Sequence, residues 1–217
     1  MKSNLTELVF ILDRSGSMSG LESDTVGGFN SMLQKQQKES AKSGSCRITT
    51  VLFDNDYELL HDKIDIQAVK QIIEKEYFVR GQTALLDAIG KTISKIASVQ
   101  ENTADEYRAD KVLFIITTDG LENASSEYSS KKVKKLIEKQ KSKHGWEFIF
   151  MGANIDSVET AGKLGINADR AVNWVADNKG TALSYNAMSA AVGTFRAKGT
   201  VDDNVFDELR DDVKNRK

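Results

Sequence analysis

Apolar residues along this chain fall into short continuous runs separated by longer stretches of helical spacing. Leu8-Val9-Phe10-Ile11-Leu12 and Val112-Leu113-Phe114-Ile115-Ile116 are unbroken by polar residues. Runs of that kind predict strands covered on both faces. Residues 48–53, 148–151 and 171–175 predict three more strands. Residues 57–61 follow the turn-like Asp54-Asn55-Asp56 and predict an antiparallel hairpin partner. Helical spacing occupies 21–43, 66–76, 84–99, 130–143, 158–164 and 180–198. In the third of these, Leu85, Ala88, Ile89, Ile93, Ile96 and Ala97 share one face. In the fourth, Val133, Leu136, Ile137 and Gln140 turn inward.

Strands alternating with helices predict an α/β fold, doubly wound as three layers (α/β/α). The sheet is expected to be mostly parallel, with one antiparallel edge strand. A single domain is expected over 1–198, with 199–217 a charged tail or short helix. Such sheets bind ligands outside the carboxyl ends of their strands, where strand order reverses. That edge is the place to look for chemistry.

Composition narrows the function classes. Of 217 residues, 40% are apolar and 29% charged, the make-up of an ordinary globular domain. The formal net charge of −2 gives no global field for nucleic acid or an anionic membrane. The single cysteine, Cys46, excludes an internal disulfide. The N-terminal apolar run is too short for a signal-peptide core, and no run approaches the ~20 residues of a membrane span. The expected location is therefore the cytoplasm.

Two predicted strands end in similar chemistry. One leads into Asp13-Arg14-Ser15-Gly16-Ser17 and the other into Thr117-Thr118-Asp119-Gly120. The loop Arg80-Gly81-Gln82-Thr83 precedes a helix and reaches the same edge if the sheet is parallel. Two carboxylates and several hydroxyls then converge, and hard cations such as Mg²⁺ favour that all-oxygen set. Taken singly, an Asp, Ser or Thr there is as readily a helix cap; the combination favours a metal.

The run Phe10-Ile11-Leu12-Asp13-Arg14-Ser15-Gly16-Ser17-Met18 resembles the first strand and metal loop of von Willebrand factor type A domains. Gly81-Gln82-Thr83-Ala84-Leu85-Leu86-Asp87 resembles the family's second metal loop, and Ile115-Ile116-Thr117-Thr118-Asp119-Gly120 its third. The resemblance spans residues 5–176 and is to the stand-alone prokaryotic or phage type. It implies a Rossmann-like fold and an intact metal-ion-dependent adhesion site. Ser15, Ser17 and Thr83 would contact the ion, and Asp13 and Asp119 would hold it directly or through water. Mg²⁺ is the expected ion, with Mn²⁺ and Ca²⁺ as alternatives. An open coordination position would accept an Asp or Glu of a protein partner.

Three neighbours are candidates for supporting roles. Asp87, one turn after Thr83, is either an acceptor beneath the metal or a charge favoured by the helix dipole. Arg14 and Gln82 would flank the open face, and both are expected to be exposed. Gly90-Lys91-Thr92 is not a phosphate loop, because Leu85 stands where the first glycine is required. His61 and His144 lack metal-ligand spacing and are expected at the surface. The lysines of 131–143 read as a solvated outer helix face. The alternative to a binding module is a metal-dependent hydrolase or phosphotransferase using the same oxygens. It lacks a His, Cys or Lys in the three loops to act as base or nucleophile.

Overall fold

A computed structural model describes residues 4–216. Strand β1 is Thr6–Asp13, followed by helix α1 (Glu22–Ser43). Strands β2 (Cys46–Phe53) and β3 (Tyr57–Asp65) form a hairpin; α2 is Leu85–Glu101 and β4 Lys111–Asp119. Then come α3 (Ser130–His144), β5 (Glu147–Ala153), α4 (Ser157–Lys163), β6 (Ala171–Trp174), α5 (Asn178–Lys198) and α6 (Asp207–Asn215). The strands make one sheet in the order β3-β2-β1-β4-β5-β6. Only the β2–β3 pair is antiparallel. The predicted three-layer α/β fold with an antiparallel edge strand is the one observed.

Every residue of β1 is buried, and its alternation feeds two cores. Leu8, Phe10 and Leu12 pack with Phe29, Met32 and Leu33 of α1 and Met188, Val192 and Phe195 of α5. Val9 and Ile11 pack with Ile89, Ile93 and Ile96 of α2 and Val133 and Ile137 of α3. The Phe10 and Phe29 rings meet edge to face at 5.4 Å. Phe206 and Leu209 join the first core, which seats α6 on the body of the domain. Lys179 pairs with Asp212 at 2.6 Å and ties α6 to the start of α5.

The chain leaves β1 toward β2 on one side and later crosses to β4 on the other. The switch point therefore lies between the carboxyl ends of β1 and β4.

The helix expected over 66–76 is absent. That stretch runs as turns and irregular chain. Ile66, Val69, Ile72 and Tyr77 are buried, so the spacing does mark an inner face. Its backbone, however, closes only short turns, such as Ala68 N–H to Asp65 and Glu76 N–H to Ile73, and takes further partners from α1. Asn30 exchanges two 2.8 Å bonds with the Ile72 backbone, and Gln37 donates to the carbonyls of Ile66 and Val69. His61 is a second correction: it is buried, opposite Thr50 across the hairpin. Burial lowers its pKa, and Glu76 of the following segment lies near enough to oppose that shift.

Candidate metal centre

Asp13 and Asp119 are the last residues of β1 and β4, adjacent strands in the sheet. Both are 1% exposed. Asp13 Oδ1 accepts the Ser15 N–H at 2.6 Å. Its Oδ2 accepts the Thr118 hydroxyl at 2.6 Å and the Asp119 N–H at 3.3 Å. The Tyr77 hydroxyl donates to the Asp13 carbonyl at 2.5 Å. Asp119 Oδ1 accepts from the Asn154 side-chain amide. Burial raises the Asp13 carboxyl above its ordinary value despite these donors. Burial raises Asp119 likewise, and the Asp13 charge adds to that rise. The site thus holds two buried negative groups that destabilise each other, an arrangement a cation would relieve.

The hydroxyls complete a chain of oxygens. Ser15 Oγ lies 3.1 Å from Ser17 Oγ and accepts from Thr83 Oγ1 at 3.0 Å. Among the described residues no three His, Cys, Asp or Glu side chains form a metal cage. The candidate set is therefore two carboxylates and three hydroxyls, hard donors that suit a divalent ion retaining some water.

Backbone bonds hold the three loops in register. The Gly16 N–H donates to the Gly81 carbonyl at 3.1 Å, and the Arg80 N–H to the Arg14 carbonyl at 2.9 Å. Thr83 exchanges bonds with Asn123: its N–H reaches Asn123 Oδ1 at 2.9 Å, and its carbonyl accepts the Asn123 N–H at 3.1 Å. Gly120 has φ +143°, and a Cβ there would approach Ser17 Oγ to 3.3 Å. A side-chain-bearing residue would be strained at that φ and would crowd the hydroxyl.

Of the two flanking candidates, Arg14 departs from expectation and Gln82 does not. Arg14 is buried, not exposed. Its N–H continues the ladder to Phe53 at 2.9 Å, which turns the side chain inward over the hairpin. There Nε donates to Asp54 at 2.9 Å, Nη1 to Glu58 at 2.6 Å, and the guanidinium covers the Phe78 ring at 5.0 Å. Gln82 is exposed, and its N–H donates to Asn55 Oδ1 at 2.8 Å.

Asp87 stands on the first turn of α2, where the helix dipole favours an acidic residue, and it has a further task. Its carboxylate accepts the N–H groups of Ser126, Glu127 and Tyr128 at 2.7–3.3 Å and so fastens the loop after β4. Gly90 belongs to the same device, because a Cβ there would fall 2.1 Å from the Tyr128 ring. Asn154, Asn123, Thr118 and Tyr77 were not singled out from the sequence. Thr118 and Asn154 carried a visible signal, since each lies at the carboxyl end of a predicted strand.

Replacing Asp87 with alanine leaves three loop N–H groups without their acceptor and is expected to destabilise the fold by about 1–3 kcal/mol. Burial pushes the Asp87 carboxyl up, but the three backbone donors outweigh it and hold it below its ordinary value of 3.8. A lowered folded pKa gives stability that is present above the unfolded value and lost as pH falls through the folded one. The difference between Asp87→Ala and wild type should therefore hold at neutral pH and shrink below about pH 4. Thermal melts across that range, with hydrogen exchange at residues 126–128, test this.

The comparisons agree with the geometry. The family model described as the von Willebrand factor type A domain matches residues 7–189, and the chain belongs to that family. Among solved structures it is similar to a von Willebrand factor type A protein from Catenulispora acidiphila: 14% identity, TM-score 0.54, covering 86% of this chain and 42% of that one. It is similar to the ArnB paralog VWA2 from Sulfolobus acidocaldarius at 20% identity and TM-score 0.53, covering 87% and 45%. It is also similar to a manganese-loaded Plasmodium vivax TRAP protein at 14% identity and TM-score 0.55, covering 84% and 72%. At these identities the likeness is one of fold. The chain spans less than half the length of the first two. No curated protein sequence matches it.

Proposed function

We propose that the chain is a divalent-metal-dependent protein-binding module. The observation that carries this is the pair of buried, mutually repelling carboxylates, Asp13 and Asp119, set beside the hydroxyl trio of Ser15, Ser17 and Thr83. A cation held there would gain its charge balance from the aspartates and several of its oxygens from the hydroxyls. Mg²⁺ is the ion this hard-oxygen set favours. It keeps exchangeable waters, and an Asp or Glu of a partner would replace one of them. The manganese-loaded TRAP structure supports a divalent ion on this fold.

The test is calorimetric titration with Mg²⁺ and Mn²⁺, followed by partner capture with and without chelator. Wild type should bind one ion and capture its partner only when metal is present, whereas Asp13→Ala should do neither. Ion binding requires both carboxylates deprotonated, so affinity should fall progressively as pH drops from 7 to 4. Partner capture indifferent to chelator and to Asp13→Ala would overturn the proposal.

A further inference from the structure

The loop after β4 crosses the candidate centre from one hydroxyl to another. Gly120 lies against Ser17, and Asn123 is bonded to Thr83 through both its backbone and its side chain. Leu121 sits between them. At 68% exposure it is the most exposed large apolar side chain among the described residues. The loop that carries it is fixed. Glu122 accepts the N–H groups of Leu86, Ala124 and Ser125 at 2.7–3.0 Å, and Asp87 holds the next three residues. A leucine is therefore displayed rigidly beside the position where a partner's carboxylate would coordinate.

The other exposed apolar residues do not compete for this role. Ile73, Tyr107 and Val158 lie outside the three loops of the site. Phe78 is covered by the guanidinium groups of Arg14 and Arg80, at 5.0 and 5.2 Å.

Charge counting shows why such a contact matters. A divalent ion balanced by Asp13 and Asp119 leaves a centre with no net charge to draw an anion from a distance. The nearest exposed cation on the same loops, Arg80, is engaged by Asp54 and Asp56 at 2.8 and 2.9 Å. Coordination alone gives direction to an acidic side chain, while selectivity comes from buried contacts beside it.

From this we infer that Leu121 is the specificity-determining contact of the site, and that the partner presents its acidic residue flanked by apolar side chains. This rests on the metal-dependent docking proposed above. Covering one leucine at the rim is worth about tenfold in affinity.

Fluorescence anisotropy in Mg²⁺ with three heptapeptides, labelled at the N-terminus and amidated at the C-terminus so that no terminal carboxylate competes, tests it: Gly-Gly-Leu-Glu-Leu-Gly-Gly, Gly-Gly-Ser-Glu-Ser-Gly-Gly and, without a carboxylate, Gly-Gly-Leu-Gln-Leu-Gly-Gly. Wild type should bind the first about tenfold tighter than the second and should not bind the third. Leu121→Ser should remove the preference while leaving Mg²⁺ affinity, measured by calorimetry, unchanged. Equal binding of the two acidic peptides, or a preference that survives Leu121→Ser, overturns the role of Leu121 and leaves metal docking standing. Failure of both acidic peptides to bind in saturating Mg²⁺ overturns both.

Discussion

Asp13→Asn should remove at least half of the thermal stabilisation that Mg²⁺ gives the wild-type protein, without lowering the melting temperature measured in chelator. The two halves have different physical causes. Asparagine keeps the shape of the site. Its Oδ1 still accepts the Ser15 N–H, and its amide can donate to the Thr118 hydroxyl, which turns to accept. Only the Asp119 N–H, at 3.3 Å the longest of the three bonds, loses its acceptor, because the amide nitrogen that replaces Oδ2 cannot accept. What disappears is a buried negative charge that raises the pKa of Asp119. In the absence of metal that loss is relief, so the melting temperature should match or exceed wild type. With metal present, wild type at a hundredfold excess of ligand over Kd gains about 2.7 kcal/mol. For a domain of this size that is roughly 5–10 °C. Asp13→Asn removes half the charge that balances the ion, and its affinity should fall by at least roughly 10–100-fold, the range seen when even a supporting group is removed. Melts in EDTA and in Mg²⁺ check both halves. An unchanged Mg²⁺ shift in the variant would show that Asp13 does not hold the ion.

How much of this was legible in the sequence depends on whether the relevant partner was local or distant. The strands were legible because an unbroken run such as Leu8 to Leu12 has one cheap solution, a central strand with both faces covered. The site's donors were legible because Asp13 and Asp119 end such strands, and the parallel rule brings those ends together. The segment from Ile66 to Glu76 was misassigned because its apolar period is real while its backbone partners, Asn30 and Gln37, lie on another helix. The loop-fastening role of Asp87 was hidden for the same reason: its three donors lie some forty residues away, in a loop with no periodicity. Arg14 was expected in solvent because charge predicts exposure. The carboxylates that make its burial tolerable, Asp54 and Glu58, lie on the neighbouring hairpin, and only the sheet order places them beside it.

That burial supplies the second large expectation, a loss of about 3–5 kcal/mol on replacing Arg14 with methionine. The side chains of Arg14 and Asp54 are 0% and 2% exposed, so water cannot compensate either group when its partner is removed. Methionine fills the volume but leaves Asp54 with Arg80, whose side chain is 45% exposed and screened by solvent. The damage should extend to the metal loops. Asp54 receives Arg14 and Arg80 through its carboxylate, and its carbonyl accepts the Ala84 N–H at 3.0 Å, immediately after Thr83. Arg14→Lys keeps the charge without the fork geometry and should fall between methionine and wild type. Burial pushes the Asp54 carboxyl up, but the Arg80 hydrogen bond, the Asp56 N–H and the two guanidinium charges outweigh it and hold it below its ordinary value of 3.8. The contribution of the pair is therefore present above that value and lost as pH falls through the lower, folded one. Chemical denaturation of wild type and Arg14→Met should give a gap that is constant near neutrality and closes in acid. A variant as stable as wild type at pH 7 would mean that Arg14 is accommodated in the fold without bracing it.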